Sequence, residues 1–318
     1  MIYNKLNFFK SILFCLALIS LVSACKTTKD AASTVKNYDL ENALLWQIDG
    51  NGLQEPSYLY GTIHLIDKES FYYPKGTLAA FEDADKVAFE VDLDDMFDMG
   101  AAMSMMTKAF MKDGKTLEDL YSAEDYTIVN EFFADMGLPM MILEKLKPMF
   151  LTVFASGDVD LSGGGIGTAD SGTKSYEMEM YALAQEAKKE VEGLETMEYQ
   201  MSVFDSIPLE YQAEMLLETI KSGDTEDDSF KEMVQMYVDQ NIDGMITFMS
   251  EEEEGIAGFE DVLLYTRNKN WIPVMSEKMK ANQYFFAVGA GHLAGKDGVI
   301  DLLRTAGYKL TPLSQVEE

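Results

Sequence analysis

The chain contains two histidines, His64 and His292, and each closes a Gly-x-x-His segment: Gly61-Thr62-Ile63-His64 and Gly289-Ala290-Gly291-His292. Each segment follows a short apolar run, Tyr58-Leu59-Tyr60 in the first case and Tyr284-Phe285-Phe286-Ala287-Val288 in the second. Imidazole is the commonest protein metal ligand and the usual proton carrier near neutral pH. Two imidazoles delivered at the ends of buried strands in matching contexts point to two halves of one site. The plain alternative is a satisfied polar group near the core at each position. The glycines would let the backbone turn sharply at the strand end or approach a ligand closely.

Carboxylates supply the rest. In Lys86 to Leu93, Val87, Phe89, Val91 and Leu93 share one face of a strand, and Ala88, Glu90 and Asp92 the other. Two acids on one strand face suit the wall of a site better than a structural strand. Glu195 follows a second short strand, Glu190 to Leu194, and Arg267-Asn268 lie within a helical stretch, Asp261 to Lys280. Arg267 would neutralise a substrate carboxylate or an oxyanion; its other reading is a structural pair with one of the many acids.

The N-terminus reads as an address. Lys5 and Lys10 precede an apolar stretch, Ile12 to Leu21, that is short for a bilayer span, and Val22-Ser23-Ala24-Cys25 follows the bacterial lipobox pattern. The expected product is an exported lipoprotein, cleaved after a signal peptide of residues 1–24, acylated (palmitate included) on Cys25 and held to the cell envelope by a flexible tether over residues 25–40. The outer membrane or cell surface is its expected location; a non-lipidated signal peptide and a transmembrane anchor are the alternatives. With Cys15 leaving in the signal and Cys25 lipidated, no cysteine remains for a disulfide or a thiolate zinc site. Any metal must be held by nitrogen and oxygen, which favours manganese, cobalt or zinc. The net charge of -30 repels phosphate backbones and argues against nucleic acid as a partner.

Residues 41–318 are long enough for one large domain. Ala43–Trp46 and Ser57–His64 read as strands joined by the Gly50-Asn51-Gly52 turn, and Pro74–Ala84 as a helix leading into the Glu90 strand. A methionine-rich helix is expected over Asp95–Met111, as plastic packing or a mobile cap, since no histidine or cysteine accompanies it. Helices follow at Ala123–Met136 and Leu143–Val153. Ser162 to Gly167 is glycine-rich but lacks P-loop and Rossmann spacing, so no nucleotide is expected there and a flexible connector is read instead. Tyr176–Lys189, Glu198–Phe204, Leu209–Ser222 and Asp228–Gln240 read as helices, and Glu251–Glu254 as a solvated helix or turn. A helix at Gly298–Ala306 and a strand at Tyr308–Leu313 close the chain. The expected architecture is α/β (α+β): a mixed central β-sheet flanked by helices, with a mainly helical cap inserted at about 95–155 and further helices at about 198–250.

Taken in order, Leu59-Tyr60-Gly61-Thr62-Ile63-His64, Phe89-Glu90-Val91-Asp92-Leu93, Gly193-Leu194-Glu195-Thr196 with Gln200, Arg267-Asn268, and Val288-Gly289-Ala290-Gly291-His292-Leu293 resemble the TraB/PrgY/GumN family, which includes the TIKI proteases. Leu146-Lys147-Pro148 and Gly307-Tyr308 add to the match, which runs from about residue 43 to 313. The resemblance implies a fold related to the erythromycin-esterase and ChaN-like proteins. It also implies a divalent-metal-dependent peptidase whose essential groups are His64, His292 and an acid, carried here by Glu90, with Glu195 as the second candidate and Asn268 as a weak substrate contact.

In chemical terms, two neutral imidazoles and a carboxylate hold the ion and leave positions open for water and substrate. The second carboxylate, Glu195 or Glu90 depending on which binds metal, accepts the water's proton and passes it to the leaving amine. Of the metals such a set can hold, manganese or cobalt is placed ahead of zinc. No His-Glu-x-x-His or Gly-x-Ser-x-Gly occurs, which argues against a zincin or a serine hydrolase elbow. The expected function is hydrolysis of a peptide or a small amide or ester on a membrane-tethered lipoprotein. The rivals are a non-catalytic peptide or pheromone binder and a haem- or metal-binding lipoprotein.

Overall fold

Strands that read as unbroken apolar runs belong in the middle of a parallel sheet, where both faces are covered. The computed structural model places them there. It describes residues 40–97, 100, 107–155, 159–160, 165–166, 172–222, 228–251 and 259–313. Ten strands are described: β1 (Leu45–Gly50), β2 (Ser57–Thr62), β3 (Ile66–Asp67), β4 (Lys86–Val91), β5 (Val159–Asp160), β6 (Gly165–Ile166), β7 (Thr173–Lys174), β8 (Glu190–Glu195), β9 (Tyr284–Gly289) and β10 (Tyr308–Pro312). Six form the main sheet in the order β10-β1-β2-β9-β4-β8. The pairs β2–β9, β9–β4 and β4–β8 are parallel, and β10–β1 and β1–β2 are antiparallel. Every residue of β2 and β9 is buried. The sheet is mixed and flanked by helices, as the alternating pattern predicts.

Parallel register brings four strand ends to one level. Thr62 of β2 lies opposite Gly289 of β9, and Val91 of β4 opposite Glu195 of β8. Ligands in open α/β sheets bind beyond the carboxyl ends of such strands, and both Gly-x-x-His segments emerge at this edge.

The helices, numbered in chain order, are α1 (Thr77–Asp83), α2 (Ala123–Asp135), α3 (Met140–Leu143), α4 (Pro148–Ala155), α5 (Tyr176–Ala187), α6 (Met197–Val203), α7 (Leu209–Ser222), α8 (Asp228–Val238), α9 (Ile242–Glu251), α10 (Thr266–Ala281) and α11 (Val299–Thr305). Several start where a hydroxyl can accept an orphan amide: Ser122 from Asp125, Ser175 from Met178, and Thr196 from Tyr199. A π-helical turn, Asp261–Tyr265, runs into α10. The main core joins the sheet to α10 through Trp271, Met275 and Met279. A second, smaller core of Met111, Leu117, Val129, Phe133, Met140, Leu143, Leu151, Leu216 and Ile220 holds α2–α4 against α7.

Several boundaries differ from expectation, three of them for a reason visible in the structure. The first strand reaches Gly50 because Asp49 and Gly50 pair with Lys309 and Tyr308 of β10 after the pairing with β2 has ended at Ile48–Ser57, and Gly50, Asn51 and Gly52 then take positive φ in the turn. The helix expected from Leu143 begins instead at Pro148, where proline suits the first helical position, and Leu146 is spent on a bridge to Phe110. Leu93–Phe97 is a 3₁₀ turn rather than the start of an α-helix. Most of the methionine-rich stretch, most of Ser162–Gly167, Glu252–Glu254, and the N-terminal signal, Cys25 and tether lie outside the described residues. Among the described residues, no helix is long and apolar enough to cross a membrane.

Candidate active site

At the carboxyl edge of the sheet, one guanidinium organises two acids and an imidazole. Arg267, on the first turn of α10, is 2 % exposed. It donates Nε to Glu195 Oε1 at 2.9 Å, Nη2 to Glu195 Oε1 at 2.7 Å and to Glu90 Oε2 at 2.5 Å, and Nη1 to the Leu263 carbonyl at 3.0 Å. Its Nη1 also lies 3.2 Å from Nε2 of His292. A buried cation satisfied by two carboxylates is what makes burying all three charges tolerable.

Glu90 is held from several sides. Oε1 accepts the Gly289 amide at 2.9 Å and lies 3.6 Å from His292 Nε2, and Oε2 accepts from Gln200 at 3.1 Å as well as from Arg267. Burial pushes its carboxyl up, but the charges of Arg267, His292 and His64 and the Gly289 amide outweigh it and hold Glu90 well below the usual carboxylate range. Glu195 has its second oxygen on the Trp271 indole at 2.9 Å, and burial raises it against the pull of Arg267. The guanidinium therefore stands between Glu195 and the imidazole.

His292 is 1 % exposed, stacked obliquely on Trp271 at 4.5 Å, with Nδ1 2.6 Å from Asn268 Oδ1. Burial, opposed by Glu90 and reinforced by Arg267 and His64, lowers it to about 3. His64 sits at the neighbouring strand end with its side chain 37 % exposed, and its Nδ1 is 3.0 Å from Glu177 Oε1. Thr62 and Ser175 hold the two Glu177 oxygens at 2.7 and 3.0 Å. Desolvation opposes charge on His64, yet the field and hydrogen bond of Glu177 raise it to about 9. The structure thus brings Glu90, Glu195, Arg267, Asn268 and His292 into direct contact, while His64 stands beside them on its own partner. Asp92, which shares the Glu90 strand face, lies beyond the strand end and accepts the Asp94 amide instead.

Glycine is needed here for close approach. Neither Gly61 nor Gly289 takes positive φ, which corrects the expected sharp turn. A Cβ on Gly61 would come within 2.6 Å of Leu293 and 3.2 Å of Ala290, so the first corner packs on the second. One on Gly289 would lie 3.3 Å from Glu90 Oε1.

Among the described residues, no group of three His, Cys, Asp or Glu side chains is arranged to hold a metal ion. Two donors do converge. His292 Nε2 and Glu90 Oε1, 3.6 Å apart, can share one ion at ligand distances of about 2.0–2.2 Å. The donor set is nitrogen and oxygen, and the Asn268 contact behind His292 is the kind of support that metal-binding imidazoles have.

The family described as TraB/PrgY/gumN matches residues 44–312. The chain belongs to that family. Among curated proteins it is similar to Metalloprotease TIKI1 of Danio rerio, 24 % identical over 86 % of this chain and 64 % of the relative. It is likewise similar to Metalloprotease TIKI1 of Xenopus tropicalis, 22 % identical over 92 % and 66 %, and to that of Homo sapiens, 22 % identical over 85 % and 61 %. The chain thus spans less than two thirds of the length of these relatives. No solved structure matches it significantly.

Proposed function

We propose that this family member is a divalent-metal-dependent hydrolase acting on a peptide or another amide or ester, with His292 and Glu90 as ligands and His64 beside them as the proton carrier. The observation that carries the reading is the 3.6 Å convergence of His292 Nε2 and Glu90 Oε1 at the carboxyl edge of the sheet, in a chain similar to metalloproteases over most of its length. A donor set of nitrogen and oxygen takes manganese, cobalt or zinc, with manganese or cobalt proposed first.

When bound, the ion supplies Lewis acidity to the scissile carbonyl and makes a water acidic enough to ionise near neutral pH. The protein's own groups do the rest. Gly289 and Gln200 fix the Glu90 carboxylate so that Oε1 faces His292. Arg267 neutralises the two acids and lies beside the same imidazole, placed to stabilise negative charge on substrate. Glu195, with both oxygens engaged by Arg267 and Trp271, serves as the anchor of Arg267 rather than as the base. His64, on its Glu177 partner, is placed to donate a proton to the leaving amine; its second reading, a third ligand, requires that it first lose that proton.

Metal-loaded protein should cleave members of a peptide library, with activity removed by a chelator and by Glu90→Gln without loss of the folded state. Absence of turnover with every metal, while peptides still bind, would replace the hydrolase with a peptide-binding protein. Delivery to the envelope through acylated Cys25 belongs to the same proposal. Cys25→Ser should move the protein from the membrane to the soluble fraction, and retention of the variant on membranes would refute lipid anchoring there.

A further inference from the structure

Asn268 is next to Arg267 in sequence but works on the opposite side of the imidazole. Its Nδ2 donates to the Asp297 carbonyl at 2.8 Å and to the His292 carbonyl at 3.3 Å. Carbonyl oxygens only accept, so these two contacts fix which end of the amide is nitrogen. The other end, Oδ1, therefore faces His292 Nδ1 at 2.6 Å, and an amide oxygen only accepts. The hydrogen of that bond must sit on Nδ1. The far side of the ring gives the same answer independently. Nε2 lies 3.2 Å from Nη1 of Arg267, a group with donors and no acceptor, so Nε2 presents a lone pair.

We infer that Asn268 is a positioning residue that fixes His292 as its Nδ1–H tautomer and presents the Nε2 lone pair on the side of the ring where Arg267 Nη1 and Glu90 Oε1 lie. A substrate contact does not fit this side chain, because all its polar atoms are committed behind the ring and it is 1 % exposed. The functional meaning rests on the metal-dependent reading, since a ligating imidazole must offer a lone pair and gains orientation and basicity from an acceptor on its other nitrogen. The tautomer itself does not depend on that reading.

The test is the long-range ¹H–¹⁵N spectrum of metal-free, ¹⁵N-histidine-labelled full-length protein at neutral pH. Only two imidazoles contribute, and the spectrum of His64→Ala assigns them. Wild-type His292 should carry its proton on Nδ1 with no detectable Nε2–H form. Asn268→Leu, which removes the acceptor and leaves only Arg267 to favour the Nδ1–H form, should let a minor Nε2–H form appear and weaken manganese binding by about 10- to 100-fold. Asn268→Asp, which restores an acceptor oxygen, should recover the wild-type tautomer. A wild-type His292 protonated on Nε2 overturns the inference even if no variant folds. So does an Asn268→Leu protein with unchanged tautomer and unchanged manganese affinity. A wild-type Nδ1–H ring that Asn268→Leu disturbs, in a protein that binds no metal, sustains the inference and refutes the metal reading instead.

Discussion

The two Gly-x-x-His corners are alike in sequence and unlike in physics. His292 is buried, stacked on Trp271 and backed by a neutral amide, and its environment keeps it uncharged. His64 is partly exposed and backed by the Glu177 carboxylate, and its environment keeps it charged. The difference lies in the element packed behind each ring: α10, presenting Asn268, behind His292, and the start of α5, presenting Glu177, beside His64. A repeated motif can thus place two chemically different imidazoles side by side, one suited to donate a lone pair and one to hold a proton.

The heaviest blow to this arrangement is the loss of the cation between the corners. Arg267→Ala leaves Glu90 and Glu195 buried without their shared partner and should cost about 3–5 kcal/mol of stability. Urea unfolding measures it, and Arg267→Lys should restore little, because an ammonium cannot make the forked contacts to both acids. A loss within error would mean that water already reaches the cluster.

Next comes the packing of one corner on the other. Gly61→Ala drives a methyl into Leu293 and Ala290 and should cost about 1–3 kcal/mol. Gly289→Ala meets Glu90 Oε1 at 3.3 Å and His292 Cδ2 at 3.6 Å, neither as close as the Gly61 contacts, and should cost less stability while lowering metal affinity. Equal thermal shifts for the two, with unchanged metal binding in Gly289→Ala, would erase the distinction.

The pH dependence of the metal-free protein separates the rings by sign. His64 is raised in the folded state from 6.5 to about 9, so its contribution to stability is fully present below pH 6.5 and is lost as pH rises through 9. His292 is lowered from 6.5 to about 3, so its neutral form stabilises the fold above pH 6.5, and that contribution is lost as pH falls toward 3. NMR titration should therefore show both rings static between pH 6.5 and 7.5, His64 moving on the alkaline side and His292 on the acid side. Two coincident titrations near the ordinary histidine value would remove the contrast.

The smallest effect belongs to Glu177→Gln. It leaves a hydrogen-bonding partner for His64 but removes the charge, so the His64 titration should move down toward the ordinary value, with a stability change of about 1 kcal/mol or less. An unmoved titration would mean that Glu177 does not set the state of His64.

Much of this site was legible because its chemistry sits in rare residues at strand ends. Two histidines, two acids on one face of an apolar strand, and an arginine within a helical stretch can be picked out by type and pattern, and the alternation of strands and helices points to the mixed sheet. The contacts were not legible. Glu90 and Arg267 meet only because β4 and β9 pair in parallel and α10 packs on the sheet, a long-range fact that local pattern does not carry. Glu177 escaped notice because an acid in the first turn of a helix is indistinguishable from an ordinary complement to the helix dipole. Gln200 has a position in the motif but no role until its amide is seen on Glu90. The contact of Asn268 with His292 was not legible for a related reason: which side of a ring an amide reaches depends on where the loop after β9 lies.

The most direct test is calorimetric titration of manganese, cobalt and zinc into metal-free wild-type protein, His292→Ala and Glu90→Gln. The account predicts one site per wild-type chain, with affinity weakened by more than about 100-fold in each variant, beyond what loss of a supporting contact alone produces. No binding to the wild type, or binding that both variants retain in full, would contradict it.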